Sequence, residues 1–264
     1  MLKSLIFTLV DLMGINALFR RMKRGQIKVL LYHNVTDGGA HFDNALSPEA
    51  FSAQIAYLKR HFNIIGIDQS GEWQGLRDDR VNVLISFDDG FRNNLTHALP
   101  VLHQHGVPAI FFLIADCIDT GSPPGFITER LGKGAEVPEF STLNADDVCA
   151  MIACGMTIGS HSLSHRNHAD MDEAAMVAEG VQARSDLEAR FALPIASFAF
   201  PWGKHRPGQE KALEAVYRRI FLTRHGFCRP QDSIIPRNEV TTLAHLKLAA
   251  SGALDALRGA VRGG

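Results

Sequence analysis

Short apolar runs recur along this chain, each followed by an amphipathic stretch. Residues 27–35 (IKVLLYHNV), 64–67, 81–87, 109–115 (AIFFLIA), 157–160 and 196–200 are dense in branched and aromatic side chains and read as buried strands. Further strands fall near Phe221 and Ile234. Between them the spacing predicts helices. One starts at Ser47-Pro48, a cap followed by proline at the first helical position, and runs through Phe51, Ile55, Leu58 and Phe62. Others cover 93–105, closed by Gly106; 144–154, capped by Asn144; 171–191; 209–219; and a terminal stretch from about Leu243. Residues 117–139, rich in glycine, proline and charge, read as a loop insertion over one face. Strands alternating with helices imply parallel pairing and an α/β fold, and 264 residues suit a barrel of eight or slightly fewer units. No linker, repeat or low-complexity segment divides residues 25–264, which read as a single domain.

Composition adds limits rather than direction. The net charge of −1 gives no global argument for nucleic acid. The four cysteines (Cys117, Cys149, Cys154, Cys228) show no metal-type spacing; Cys149 and Cys154 lie in an apolar helical stretch and read as reduced core residues, which favours a reducing compartment. Residues 1–24 stand apart. Positions 2–19 are mostly apolar but are interrupted by Asp11 and Asn16, and Arg20-Arg21-Met22-Lys23-Arg24 follows. The segment lacks the clean apolar core and small-residue cleavage site of a secretory signal, and it is too interrupted for a transmembrane span. Two readings stand side by side: an amphipathic helix in a membrane interface, suited to an anionic cytoplasmic leaflet, or a helix packed on the body of the protein. The expected location is cytoplasmic, peripheral on the inner membrane in the first reading, with the periplasm as the alternative.

The chemistry concentrates at the ends of the predicted strands. Ser86-Phe87-Asp88-Asp89-Gly90 places two carboxylates where a buried strand meets a glycine turn, which is costly unless something positive binds them. A capped turn also explains an Asp-Gly pair. Downstream, Ser160-His161-Ser162-Leu163-Ser164-His165 puts two imidazoles four positions apart, able to face one side if the backbone turns tightly; two surface histidines are the plainer alternative. One carboxylate and two imidazoles make a metal triad, leaving the second carboxylate as a base. His168, just past the motif, reads as exposed.

Phe87-Asp88-Asp89-Gly90 followed by His161-Ser162-Leu163-Ser164-His165 resembles the polysaccharide deacetylase family (carbohydrate esterase family 4, the NodB-homology domain). Phe198-Ala199-Phe200-Pro201-Trp202-Gly203 resembles its third motif, and the resemblance spans Ile27 to Val240. It implies a deformed (β/α)7-type barrel that removes acetyl groups from N-acetylated sugars with a divalent metal, usually zinc, with cobalt, nickel or manganese as alternatives. By position, Asp89, His161 and His165 are the implied metal ligands and Asp88 the general base. The implied oxyanion and substrate contacts are the Trp202 backbone N–H and the Phe200-Pro201-Trp202 surface, with core packing an equal reading for Phe200. Two departures stand out. The third motif has Ala199 where many members carry an arginine that orients the base; Arg237 is the candidate to replace it, or is a surface ion pair. The usual late histidine acid is unclear. Leu31-Tyr32-His33 resembles the exopolysaccharide deacetylase branch that places the acid at the amino end, which favours His33 over His245. Arg92 and Asn93 follow the glycine turn and are candidate substrate contacts. The resulting expectation is a carbohydrate N-deacetylase acting on an exopolysaccharide or its lipid-linked precursor. Alternatives are an O-acetyl esterase with the same site, a non-haem iron oxygenase and a catalytically silent glycan-binding module.

Overall fold

In the computed structural model, which describes residues 14–37, 44–131 and 140–256, the apolar runs become the staves of a closed barrel. The strands, in chain order, are β1 (Ile27–Tyr32), β2 (Asn34–Val35), β3 (Ala45–Leu46), β4 (Asn63–Ile64), β5 (Gly66–Ile67), β6 (Trp73–Gln74), β7 (Asn82–Phe87), β8 (Ile110–Leu113), β9 (Thr157–Ser160), β10 (Ser197–Ala199), β11 (Arg219–Leu222) and β12 (Ile234–Glu239). Seven of them, β1 and β7 through β12, pair in parallel in sequence order, and β1 closes the ring by pairing with both β7 and β12. The barrel is deformed at β7. One edge of that strand follows β1 along its whole length, while the other is shared, with β4 at Asn82–Val83 and β8 at Ser86–Phe87.

Strand alternation sorts the side chains. Ile27 and Val29, Leu84, Ile110 and Phe112, Ala199, Phe221 and Ile235 meet inside the barrel. The alternate positions, among them Leu30, Ile85, Phe111, Phe198 and Ile220, face outward and join the apolar faces of the surrounding helices in a second, larger core. Gly159 is required by the interior. A Cβ there would stand 2.6 Å from the Phe112 ring and 3.1 Å from the Ser197 carbonyl. Gly159→Ala is expected to destabilise the fold by about 1–3 kcal/mol through overpacking, read as a lower denaturation midpoint.

The predicted caps are present: Ser47 Oγ accepts from Ala50 N at 3.2 Å, Gly106 closes its helix with φ +61°, and Asn144 and Asp147 form a reciprocal capping box. The structure departs from expectation in several places. The helix predicted over 209–219 is α-helical only at Gln209–Ala212, continues as a 3-10 turn to Ala215, and gives way to β11 at Arg219; the strand predicted over 64–67 is split between β4 and β5. The strand predicted over 27–35 breaks at His33, which frees that side chain from the ladder. The helix over 93–105 opens with a π-helical turn, Asn94–Ala98. The 117–139 insertion contains a helix, Gly125–Leu131, while 132–139 lies outside the described residues. Finally, Cys149 and Cys154 are exposed rather than core; all four cysteines are free and Cys228 alone is buried.

The amino-terminal helix Ile15–Met22 packs on the body. Asn16 is buried and its Oδ1 accepts from Ser251 Oγ at 2.8 Å, with Ile15 and Phe19 against the outer core. The rest of the predicted interfacial helix, residues 1–13, lies outside the described residues.

Candidate active site

Strand phase carries Leu84, Ser86 and then Asp88 to the inner side of the barrel at its carboxyl-terminal mouth. Ser86 Oγ donates to Leu30 O at 2.9 Å and Asp88 N to Tyr32 O at 3.1 Å, tying the end of β7 to β1. On the far side of β1, Arg237 of β12 follows Ile235 in phase and is buried inside the barrel. Its guanidinium forks onto Asp88, Nη1 to Oδ1 at 2.6 Å and Nη2 to Oδ2 at 2.8 Å, and lies 5.2 Å over the Phe112 ring. Both partners are 3 % exposed or less at the side chain, so this is a desolvated, bidentate pair rather than a surface ion pair.

After Asp88 the backbone turns left-handed, at Asp89 (φ +72°) and Gly90 (φ +67°). Beyond this turn the two carboxylates share a neighbour, Asp89 Oδ1 at 3.4 Å and Asp88 Oδ2 at 3.8 Å from His161 Nε2. A Cβ at Gly90 would meet the Leu113 side chain at 3.0 Å. His161 leaves β9 at the same level. Its Nδ1 lies 2.8 Å from Ala199 O; donation to that carbonyl leaves the Nε2 lone pair facing Asp89 Oδ1 at 3.4 Å. The loop that follows is tightly turned, with Ser162 (φ +68°) and His165 (φ +60°) left-handed and His165 N bonded to Ser162 Oγ at 3.0 Å. It brings His165 Nε2 to 3.2 Å from Asp89 Oδ1. Glu179 holds this loop from behind, accepting from Ser164 N at 3.0 Å and from the Ser164 hydroxyl.

One ligand atom each from Asp89, His161 and His165 lies within 4.8 Å of the others, and all three residues are buried. The donor set suits a divalent ion. It is one carboxylate and two imidazoles with open positions toward the cleft, with the His161 tautomer fixed by Ala199 O. Burial pushes the Asp88 carboxyl up, but Arg237 and then His161 outweigh it and hold the group below its ordinary value. Burial acts the same way on Asp89, and the two imidazoles overcome it by a wide margin. His161 is drawn up by the two carboxylates against its burial, whereas burial dominates at His165 and lowers it.

These groups line an open cleft of ≈ 240 Å³. His33 is in it, its Nδ1 3.4 Å from Glu239 Oε1, which also accepts from Asn44 Nδ2 at 3.1 Å. His245 is not; it sits in the first turn of the helix Leu243–Ser251. Trp202 lines the cleft, half-exposed and left-handed (φ +59°), in a turn whose hydrogen bonds are donated by Gly203 and Lys204. The predicted partners of Trp202 point elsewhere. Phe200 is in phase with outward-facing Phe198, fully buried against His205 (4.7 Å) and His168 (5.6 Å), and neither Phe200 nor the buried Pro201 lines the cleft. His168, expected at the surface, is fully buried and stacked on Phe198 at 5.8 Å. Arg92 pairs with Asp147 at 3.0 Å, and Asn93 donates to Asn34 Oδ1 at 2.8 Å; neither lines the cleft.

Sequence reasoning missed Phe126, Ile127, Asn44 and Glu239. The Phe126 ring stacks on His165 at 4.1 Å and meets Trp202 edge-on at 5.0 Å, making an aromatic wall with the insertion helix. Its signal was an aromatic residue inside the segment read as loop.

Comparison with known proteins gives the chain its class, a hydrolase that deacetylates polysaccharide. The family model described as Polysaccharide deacetylase matches residues 76–218, more than half of the chain, and the chain belongs to that family. Among curated relatives, YxkH of Bacillus subtilis (strain 168), which carries the same family name, is 20% identical over 211 residues, covering 79% of this chain and 68% of that protein. Among solved structures, IcaB from Ammonifex degensii superposes with a TM-score of 0.68 at 22% identity, covering 86% of this chain and 97% of that one. The Streptococcus pyogenes deacetylase PplD, solved in complex with acetate, gives 0.65 at 15% identity, covering 88% and 98%. At these identities the two structures share the fold.

Proposed function

We propose that this deacetylase is a metal-dependent amidohydrolase that removes N-acetyl groups from the sugars of an exopolysaccharide or its lipid-linked precursor. The observation that carries the reading is the Asp88–Arg237 fork standing beside, and not within, the Asp89–His161–His165 cluster. A carboxylate held ionised and aimed into the cleft is placed to accept a proton. Asp89, His161 and His165 would hold the metal, zinc by preference, and the chemistry it would supply when bound is polarisation of the acetamide carbonyl and a water made nucleophilic near neutral pH. Asp88 takes the proton of the attacking water, and Arg237 fixes the carboxylate's orientation. As the C–N bond breaks, His33 gives a proton to the departing amine, leaving free acetate and an amino sugar; the Glu239 carboxylate stands 3.4 Å from its Nδ1. The Trp202 N–H serves the developing oxyanion, and the Trp202 and Phe126 rings offer apolar faces to a sugar.

The deciding assay is acetate release from N-acetylglucosamine oligomers and from a membrane glycolipid extract, with chelator-stripped and zinc-reloaded protein in parallel. Release that disappears on stripping and returns with zinc is the expected result; release indifferent to stripping rejects metal dependence. His33→Ala is expected to keep zinc stoichiometry while lowering turnover by about 10²–10⁴. Near-normal turnover in that variant removes His33 from the mechanism.

A further inference from the structure

At the amino-terminal end of the barrel, opposite the cleft, five arginines converge. Arg20, Arg21 and Arg24 come from the helix Ile15–Met22 and the turn after it, Arg60 from the end of the helix Pro48–His61, and Arg80 from the segment entering β7. Together they line a concavity of ≈ 400 Å³. One carboxylate lies there, Asp79, and both its oxygens are already engaged by Arg77, 2.9 Å from Nε and 2.9 Å from Nη2. Arg20 is braced against the Tyr57 hydroxyl at 3.4 Å and over the Phe62 ring, and Arg80 against Phe62 O at 3.4 Å. Among the described residues none of the five pairs with a carboxylate. Among the described residues three separate chain segments therefore gather five guanidinium groups around a single carboxylate, Asp79, whose charge is felt by Arg80, and guanidinium forks match phosphate oxygens in geometry as well as charge.

A second observation says where the phosphate comes from. Leu18 and Met22 lie one turn apart on the same helix, on the outer arc beside Arg21, and at 59% and 64% they are the most exposed large apolar side chains among the described residues. The sequence preceding this helix, MLKSLIFTLVDLM, is largely apolar. No helix among the described residues is long and apolar enough to cross a membrane. Apolar side chains beside arginines in excess of carboxylate are the chemistry of a surface that rests on an anionic bilayer.

We infer that the arginine pocket takes the phosphate of an anionic phospholipid headgroup and docks the amino-terminal end of the barrel on a bilayer, with Leu18 and Met22 entering the headgroup layer. The cleft, at the other ends of the same strands, then faces away from the lipid.

The test is co-sedimentation of the full chain with phosphatidylcholine vesicles, with and without phosphatidylglycerol. Wild type is expected to partition onto the anionic vesicles only and to be released by salt. Arg60→Glu/Arg80→Glu, on the body rather than the helix, is expected to weaken partitioning about tenfold or more, and Leu18→Ser/Met22→Ser to weaken it as well. The far-ultraviolet circular dichroism and denaturation midpoint, unchanged in both variants, report that they fold and keep this test separate from the fate of the deacetylase mechanism. Equal partition onto neutral vesicles overturns the inference, as does salt-insensitive binding, which needs no variant to observe. An unchanged charge-reversed variant assigns any binding to the preceding segment and also overturns it. Calorimetric binding of pyrophosphate without vesicle partition assigns the pocket to a soluble phosphate and rejects the bilayer.

Discussion

Asp88→Asn is expected to lower acetate release by about 10²–10⁴ while the protein still binds zinc, because the substitution removes the proton acceptor and leaves Asp89, His161 and His165 in place. The variant also exposes the cost of the pair. An asparagine presents one oxygen where the carboxylate presented two, so the buried guanidinium of Arg237 loses its charge partner and one of its two hydrogen bonds. Breaking a buried pair in this way costs about 3–5 kcal/mol, so the denaturation midpoint falls along with turnover. Zinc calorimetry on the stripped variant, run beside the turnover assay, separates the two effects. Turnover within tenfold of wild type would show that Asp88 is not the base.

Arg237→Met carries the second large effect. It leaves the carboxylate, rather than the guanidinium, unpaired in the barrel, and a loss of about 3–5 kcal/mol in denaturant unfolding is expected. The sign of its pH effect follows from the forces on Asp88. Burial raises that carboxyl and Arg237 is the largest influence lowering it. With the guanidinium gone, burial prevails, the group protonates at higher pH, and the acid limb of the pH–rate profile moves up. Arg237→Lys keeps the charge but not the fork, so it restores part of the stability without restoring the full rate. An acid limb that stays in place in Arg237→Met rejects the coupling.

The Asp89–His161–His165 cluster was readable in the chain because its parts are local: Asp88-Asp89-Gly90 and His161 to His165 are short motifs at strand ends, and strand ends share one face in a parallel barrel. Arg237 was reachable because the third motif has Ala199 where a guanidinium was wanted. The structure puts that small side chain inside the barrel, with Arg237 entering the interior from β12. Phe200 shows a signal that was present and underused. Alternation from inward Ala199 already sends it outward. The rest depends on tertiary packing. Phe126 becomes a wall of the cleft because a helix inside the insertion seats it on His165, and no periodicity in a segment of glycine, proline and charge announces that contact. His168 is buried by aromatic neighbours from β10 and beyond, and Cys149 and Cys154 are exposed because their helix buries Val148 and Met151 instead.

The fork between Asp88 and Arg237 joins residues 149 positions apart, on strands that flank β1 from either side. The segment matched by the family, 76–218, holds the aspartate pair and both histidines but neither β1 nor β12. A growing chain therefore acquires Asp88, Asp89, His161 and His165 well before it acquires Arg237. Until the last stave slides in beside the first, Asp88 lacks the guanidinium that in the finished barrel grips both its oxygens and holds its carboxyl below the ordinary value. On the mechanism proposed above, completion of the barrel and activation of the enzyme are then a single event.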